Sequence, residues 1–337
     1  MKAVGFHRPL PIDDAEALVD LDLPDPEVGP HDLLVRVEAI SVNPVDMKQR
    51  LRTTPPAGTA RILGFDAAGV VVGAGEAVSR FKVGDAVFYA GALNRPGSNA
   101  ELQAVDERLV GHKPKSLSFA GAAALPLTSL TAWELLFDRL RVPYGDKRGG
   151  DALMIVGGAG GVGSILTQIA RRLTGLTVVA TASRPETVAW CQAMGAHHVI
   201  DHRKPLNEGL AAIGLPQVRY VAGLTATDTH LPAILEALAP QGAFAVIDDP
   251  TTLDVLPFKR KSLSVHWELM FTRSLFQTPD MAEQHAILEE VSALVDAGVL
   301  RTTANAHFGT ICAANLRRAH AAAEAGTNIG KIVLEGF

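Results

Sequence analysis

Six consecutive residues, Gly158-Ala159-Gly160-Gly161-Val162-Gly163, carry the spacing G-x-G-x-x-G. They follow an apolar block, Ala152–Val156 (ALMIV), and open an amphipathic stretch, Gly161–Leu173. In that strand–turn–helix setting the glycines have defined jobs. They permit positive φ in the turn, let the backbone come close to a pyrophosphate, and allow tight helix–strand packing. The free N–H groups and dipole of the helix start favour the phosphate charge. A merely tight turn is the bland alternative, but the rest of a βαβ unit follows at the right length. The next strand chooses the dinucleotide. An NAD site usually carries Asp or Glu about 20 residues on, for the ribose 2′-hydroxyl. Thr177–Ala182 (TVVATA) has no acid, and Ser183 and Arg184 follow it. A hydroxyl beside a guanidinium suits a 2′-phosphate, so the expected cofactor is NADPH. A solvated loop arginine is the competing reading of Arg184.

These residues need a scaffold. After Asp151, strand and helix patterns alternate: Ala152–Val156, Gly161–Leu173, Thr177–Thr181, Pro185–Met194 stopped by Gly195, His198–Asp201, Arg219–Ala222, Leu231–Leu238 and Ala243–Ile247. Such a series predicts an α/β fold with a doubly wound parallel sheet covered on both faces. The first third differs. Leu33–Ile40 (LLVRVEAI) alternates apolar and polar residues, Gly69–Val72 and Gly84–Tyr89 are short strand-like runs, and Pro and Gly punctuate the rest. That texture predicts a small β-barrel. Phe119–Phe137 reads as helical with a break at Pro126. Two further helices, Met281–Ala297 and Ala313–Glu324, precede a closing strand at Gly330–Leu334, which could belong to either domain.

The 337 residues suggest about two domains. A formal charge of −5 argues against nucleic-acid binding, which usually needs a basic excess. Two cysteines, Cys191 and Cys312, exclude a disulfide framework and any site of three or four thiolates. No signal-peptide pattern opens the chain, and no stretch reads as a membrane helix of roughly 20 apolar residues. The expectation is a soluble cytoplasmic protein with a small-molecule substrate.

Beyond the glycine turn, Ser41–Asp46 (SVNPVD), Gly64–Val71 (GFDAAGVV), Val83–Val87 (VGDAV), Leu125–Trp133 (LPLTSLTAW) and the terminal Gly330–Phe337 (GKIVLEGF) resemble the medium-chain dehydrogenase/reductase superfamily. Its quinone oxidoreductase branch, which includes zinc-type alcohol dehydrogenase-like proteins, is the nearest. The resemblance covers nearly the whole chain. It implies a GroES-like β-barrel catalytic domain, residues 1–122 and 273–337, interrupted by a Rossmann NADP-binding domain, residues 123–272. It implies that the stretch bearing Asn43 and Lys48 faces the nicotinamide, that Thr131 lies near the nicotinamide amide, and that His202 packs at the adenine edge. Thr225 and Ile247 follow strands whose carboxyl ends form the ligand crevice. Lys331 approaches the cofactor phosphate in relatives. Alternatives stay open: Asn43 bonding its own loop, Asp46 starting a helix, Lys48 and His202 solvated, Thr131 bonding back to a helix carbonyl. Many relatives form dimers by joining sheet edges, and Ser262–Phe271 (SLSVHWELMF) is the matching edge segment; an internal edge covered by a loop is the other reading.

Zinc members of the superfamily place Cys where this chain has Asn43, and His-Glu where it has Phe65-Asp66. An amide and a phenyl ring do not replace thiolate and imidazole, so no metal is expected. Reduction of an activated acceptor survives without a Lewis acid, because a quinone or α,β-unsaturated carbonyl takes hydride at carbon and needs only its oxygen stabilised. The expected activity is therefore zinc-independent, NADPH-dependent reduction of quinones or enones. Two rivals remain. One is an enoyl-thioester reductase, against which Lys48 counts where many relatives have Tyr. The other is a noncatalytic NADPH-binding structural or sensing protein.

Overall fold

The computed structural model describes all residues, Met1–Phe337. They form two compact units: Met1–Leu130 with Phe271–Phe337, and Thr131–Met270. The chain passes from the first to the second inside helix Pro126–Trp133.

In the first unit an 11-residue strand, Asp32–Val42, organises a seven-stranded sheet. It pairs antiparallel with Ala67–Ala74, with Leu102–Asp106 and with the C-terminal strand Lys331–Glu335. Its inward side chains Leu33, Val35, Val37 and Ala39 are buried, as period-2 alternation requires. The register Ile332↔Val42 matters most for function. It brings the last strand beside the loop that starts helix Pro44–Arg52. A second, three-stranded sheet joins Val19–Asp22, Lys2–Phe6 and Arg61–Ile62.

In the second unit six parallel strands follow the order His198–Ile200, Thr177–Thr181, Ala152–Val156, Val218–Gly223, Leu238–Val246, Ser264–Trp267. That is the doubly wound order 3-2-1-4-5-6, with its switch point beside the first strand. Ala152–Val156 is buried throughout, and helix Gly161–Leu173 turns Ile165, Leu166 and Ile169 inward. Gly195 ends helix Pro185–Met194 at φ +107°, in the left-handed region glycine tolerates.

Some expectations change. Helix Thr227–Ala237 begins four residues before the apolar pattern does, because the Asp248 carboxylate caps it by accepting from Thr227 N and Oγ1. The run Ser262–Phe271 holds only a four-residue strand, Ser264–Trp267. Ser262 is itself in the left-handed region, at φ +51°, closing a 3₁₀ turn. Phe119–Ala123, Pro126–Trp133 and a π-helical turn Glu134–Arg139 run on in series. Phe119–Arg139 is thus long and apolar enough to cross a membrane, whereas the sequence gives no such stretch. With 83% of its most apolar window buried inside the protein, it is a core helix.

Candidate active site

Asn43 starts helix Pro44–Arg52. It is almost fully buried, as are Asp66 and Lys331, and the three form one hydrogen-bonded cluster. Asp66 Oδ2 accepts from Asn43 Nδ2 (2.7 Å) and Ser41 Oγ (2.9 Å), while its Oδ1 accepts from Leu127 N (2.8 Å). Lys331 Nζ lies 3.1 Å from Asp66 Oδ2. It donates to Val42 O (2.8 Å) and to Asn43 Oδ1. A fourth polar group closes the arrangement: Asp46, at the third helical position, accepts from Asn43 N (2.8 Å) and Gly64 N (3.0 Å).

Burial sets the electrostatics here. It raises the Asp66 carboxyl, and the Lys331 ammonium, the Asn43 amide and the Leu127 N–H pull it back down. Burial lowers the Lys331 ammonium, with Asp66 opposing. Asp46 is pushed up to about 7 by burial, against the Asn43 N–H, Lys331 and the Gly64 N–H. Two carboxyls and one ammonium thus share a dry pocket, where an unpaired charge is costly.

This arrangement revises two expectations. Lys331 is the first residue of its strand. An ammonium has three N–H donors, and the three partners named above use them, so Lys331 is not placed as a phosphate contact. Asn43 spends both ends of its amide on Asp66 and Lys331, so it holds the cluster rather than presenting a group to a ligand. Lys48, on the same helix, is half-buried, and Thr131 is buried one turn beyond Leu127.

The second unit gathers the remaining candidates at the carboxyl ends of five strands. Gly157 follows Ala152–Val156 at φ +91°. A Cβ on Gly158 would lie 2.7 Å from Ala180 Cβ, and one on Gly163 would lie 2.3 Å from Gly157 O, so only glycine fits this close approach. Ala159, Gly160, Gly161 and Val162 complete the turn, and Gly160 caps helix Gly161–Leu173 without a side chain. Its first N–H groups thus start a helix with no capping side chain over them, which fits a pyrophosphate. Thr225 lies against the same turn, 2.9 Å from where a Gly157 Cβ would stand. Ile247 N donates to Gly223 O at the end of the next strand.

Ser183 and Arg184 follow strand Thr177–Thr181. Arg184 caps helix Pro185–Met194, and its Nε lies 3.0 Å from Glu186 Oε1. Arg203 donates to Ser183 O (2.9 Å) and forks onto Asp201. This ion pair holds the Asp201 carboxyl down at about 2. His202 packs edge-on against His230, with ring centroids 6.0 Å apart. Burial lowers both imidazoles. The chain thus sets two guanidiniums beside Ser183, while the one nearby acid after the third strand, Asp201, is already paired.

Comparison with known proteins adds family evidence. Residues 29–125 match the model of an alcohol dehydrogenase GroES-like domain, and residues 194–334 match that of a zinc-binding dehydrogenase. A zinc-type alcohol dehydrogenase-like protein of Staphylococcus aureus (strain MRSA252) is 39% identical over 99% of both chains. An NADPH-dependent alkenal/one oxidoreductase of Arabidopsis thaliana is 39% identical over 55% of this chain and 48% of its own length. Among solved structures, a Rhizobium etli CFN 42 protein labelled a zinc-dependent alcohol dehydrogenase superposes with TM-score 0.96 at 55% identity, covering 100% of this chain and 98% of that one. A quinone oxidoreductase from Coxiella burnetii gives 0.81 at 28% identity, covering 100% and 99%.

The zinc in several of these names finds no donor set in this chain. Phe65 packs edge-on against Phe271, with centroids 5.3 Å apart. Asp66 is occupied by four donors, and a dication beside it would face the Lys331 ammonium. No three His, Cys, Asp or Glu side chains gather anywhere in the chain as a metal site.

Proposed function

Because the chain belongs to the medium-chain dehydrogenase/reductase superfamily, in its quinone oxidoreductase branch, we propose that it is a zinc-independent, NADPH-dependent reductase of quinones or α,β-unsaturated carbonyls. The observation that carries this reading is the Asn43–Asp66–Lys331 cluster: Asn43 and Asp66 stand where zinc-bearing relatives keep ligands, and Lys331 is the ion-pair partner of Asp66. Without a Lewis acid the acceptor must be one that accepts hydride at carbon and needs only modest help at oxygen. Bound at the glycine turn, NADPH supplies that hydride.

The chain's own residues do the rest. The turn Gly158–Gly163 and its helix start hold the pyrophosphate. Ser183 and Arg184 hold the 2′-phosphate, with Arg203 behind them, and His202 and Thr225 border the adenosine side. Lys48 steadies the acceptor oxygen, Thr131 orients the nicotinamide amide, and Asn43 keeps the first helix turn in place. In this scheme the GroES-like domain is catalytic and the Rossmann domain binds the cofactor. Two free cysteines support a reducing, cytoplasmic setting.

The test is initial-rate oxidation of NADPH and of NADH with a small panel of quinones, enones and enoyl thioesters. The expected result is turnover of quinones or enones with NADPH preferred by about tenfold or more, the value of one charge-assisted guanidinium–phosphate fork. Equal use of NADH refutes the role given to Ser183 and Arg184. Tight NADPH binding with no turnover refutes the enzyme.

A further inference from the structure

A cavity of about 240 Å³ opens in the first unit, with Thr53, Thr54, Thr59, Asn94, Arg61 and Arg95 among its lining residues. None of the residues that line it is acidic. Its two arginines are in different states. Arg95 forks onto Asp32 with both bonds at 2.7 Å, so its charge is compensated. Arg61 donates from Nη2 to Leu93 O only, and its Nε is buried without an acceptor. Burial lowers this guanidinium and no charged neighbour opposes the shift. Arginine stays charged in proteins, so one uncompensated positive charge sits half-buried in the cavity wall, ringed by hydroxyls and an amide.

We propose that this cavity is a binding site for the oxyanion end, a carboxylate or phosphate, of a small molecule, with Arg61 as its anchor. A guanidinium binds such groups in two-pronged fashion; Thr54 and Asn94 supply further donors, whereas the Thr53 and Thr59 hydroxyls already donate to Gln49 Oε1 and Pro56 O. Thr53 is the C-cap of helix Pro44–Arg52, which begins at Asn43. At 1.5 Å per residue Thr53 lies about 8 Å along that helix from Lys48, the residue given the acceptor oxygen above. A quinone or enone with an acidic tail of that reach would span both. This identification of the cavity as the far end of the acceptor site rests on the reductase reading, whereas the anion preference does not.

Calorimetric titration of the whole protein with naphthoate and with naphthamide tests the preference without turnover. The acid binds about tenfold or more tightly than the amide. Arg61→Gln brings the ratio to about one, and Arg61→Lys keeps part of it. If Arg61→Gln does not fold, the wild-type ratio between about 20 and about 500 mM salt serves instead, because a charge-based preference shrinks with screening. Inorganic phosphate that displaces naphthoate marks a free ion as the occupant; an acid preference that phosphate leaves intact marks the acid of a larger molecule. Equal binding of acid and amide by the wild type, or a preference that survives Arg61→Gln, overturns the proposal. Failure to oxidise NADPH with neutral naphthoquinone overturns the reductase reading alone.

Discussion

Replacing Lys331 with methionine removes the ammonium from a pocket where Asp66 is 1% exposed and Lys331 3%. The chain length is nearly kept, so packing changes little and the loss is electrostatic. Asp66 keeps the Ser41 hydroxyl, the Asn43 amide and the Leu127 N–H, but its countercharge at 3.1 Å is gone. Breaking a buried pair from one side costs about 3–5 kcal/mol. For a unit of this size, about 4 kcal/mol corresponds to a fall in Tm of roughly 8–16 °C. The effect depends on pH. Burial already raises the Asp66 carboxyl, and without Lys331 nothing of opposite charge restrains it. The folded protein then holds that proton more tightly than the unfolded one. Stability is therefore retained at pH values below the ordinary carboxylate range and lost as pH rises through the raised value. Thermal melts of Lys331→Met and wild type at about pH 5 and about pH 8 should show the larger deficit at pH 8. The double variant Asp66→Asn with Lys331→Met should recover more than half of it, since no charge is left unpaired. A deficit below about 2 °C at both pH values, or a larger one at pH 5, would refute the account of a dry, mutually dependent pair.

Other consequences are simpler to measure. Arg184→Ala should raise the KM for NADPH about tenfold and leave that for NADH unchanged; an equal rise for both would show that Arg184 does not read the 2′-phosphate. Gly163→Ala puts a Cβ 2.3 Å from Gly157 O, a backbone atom that must move, so NADPH should bind at least about tenfold more weakly by fluorescence titration. Unchanged binding would sink the close-approach argument. Strand Ser264–Trp267 is an edge of its sheet with Trp267 exposed, and we propose that two copies join there. Sedimentation should give twice the chain mass and Trp267→Glu should lower it; a wild-type monomer would rule this out.

How far the sequence could be read depended on local punctuation. Helices Gly161–Leu173, Pro185–Met194 and Ala313–Glu324 and strands Ala152–Val156 and Thr177–Thr181 match their expected bounds, mostly because Gly or Pro flanks a clear apolar pattern. Strand Leu238–Val246 is longer than the expected Ala243–Ile247, since Pro240, Gln241 and Gly242 disguise its first half; Gln241 sits at φ +62°. Helix Thr227–Ala237 was hidden at its start because its cap, Asp248, arrives from another strand's end. The site shows the same division. The glycine turn is a local motif and could be found by spacing. The Asp66–Lys331 pair could not, because it exists only through the antiparallel register of the last strand against Asp32–Val42. Asp66 was visible only as a departure from a metal-binding pattern. Its positive role, anchoring Lys331 and Asn43, required the pairing of distant strands.

We propose that hydride reduction in this chain proceeds without zinc. The most direct test is NADPH oxidation with naphthoquinone by protein stripped with a strong chelator and shown by elemental analysis to be metal-free. The account predicts the same turnover before stripping, after stripping and after zinc is added back. Activity that disappears on stripping and returns with zinc would contradict it.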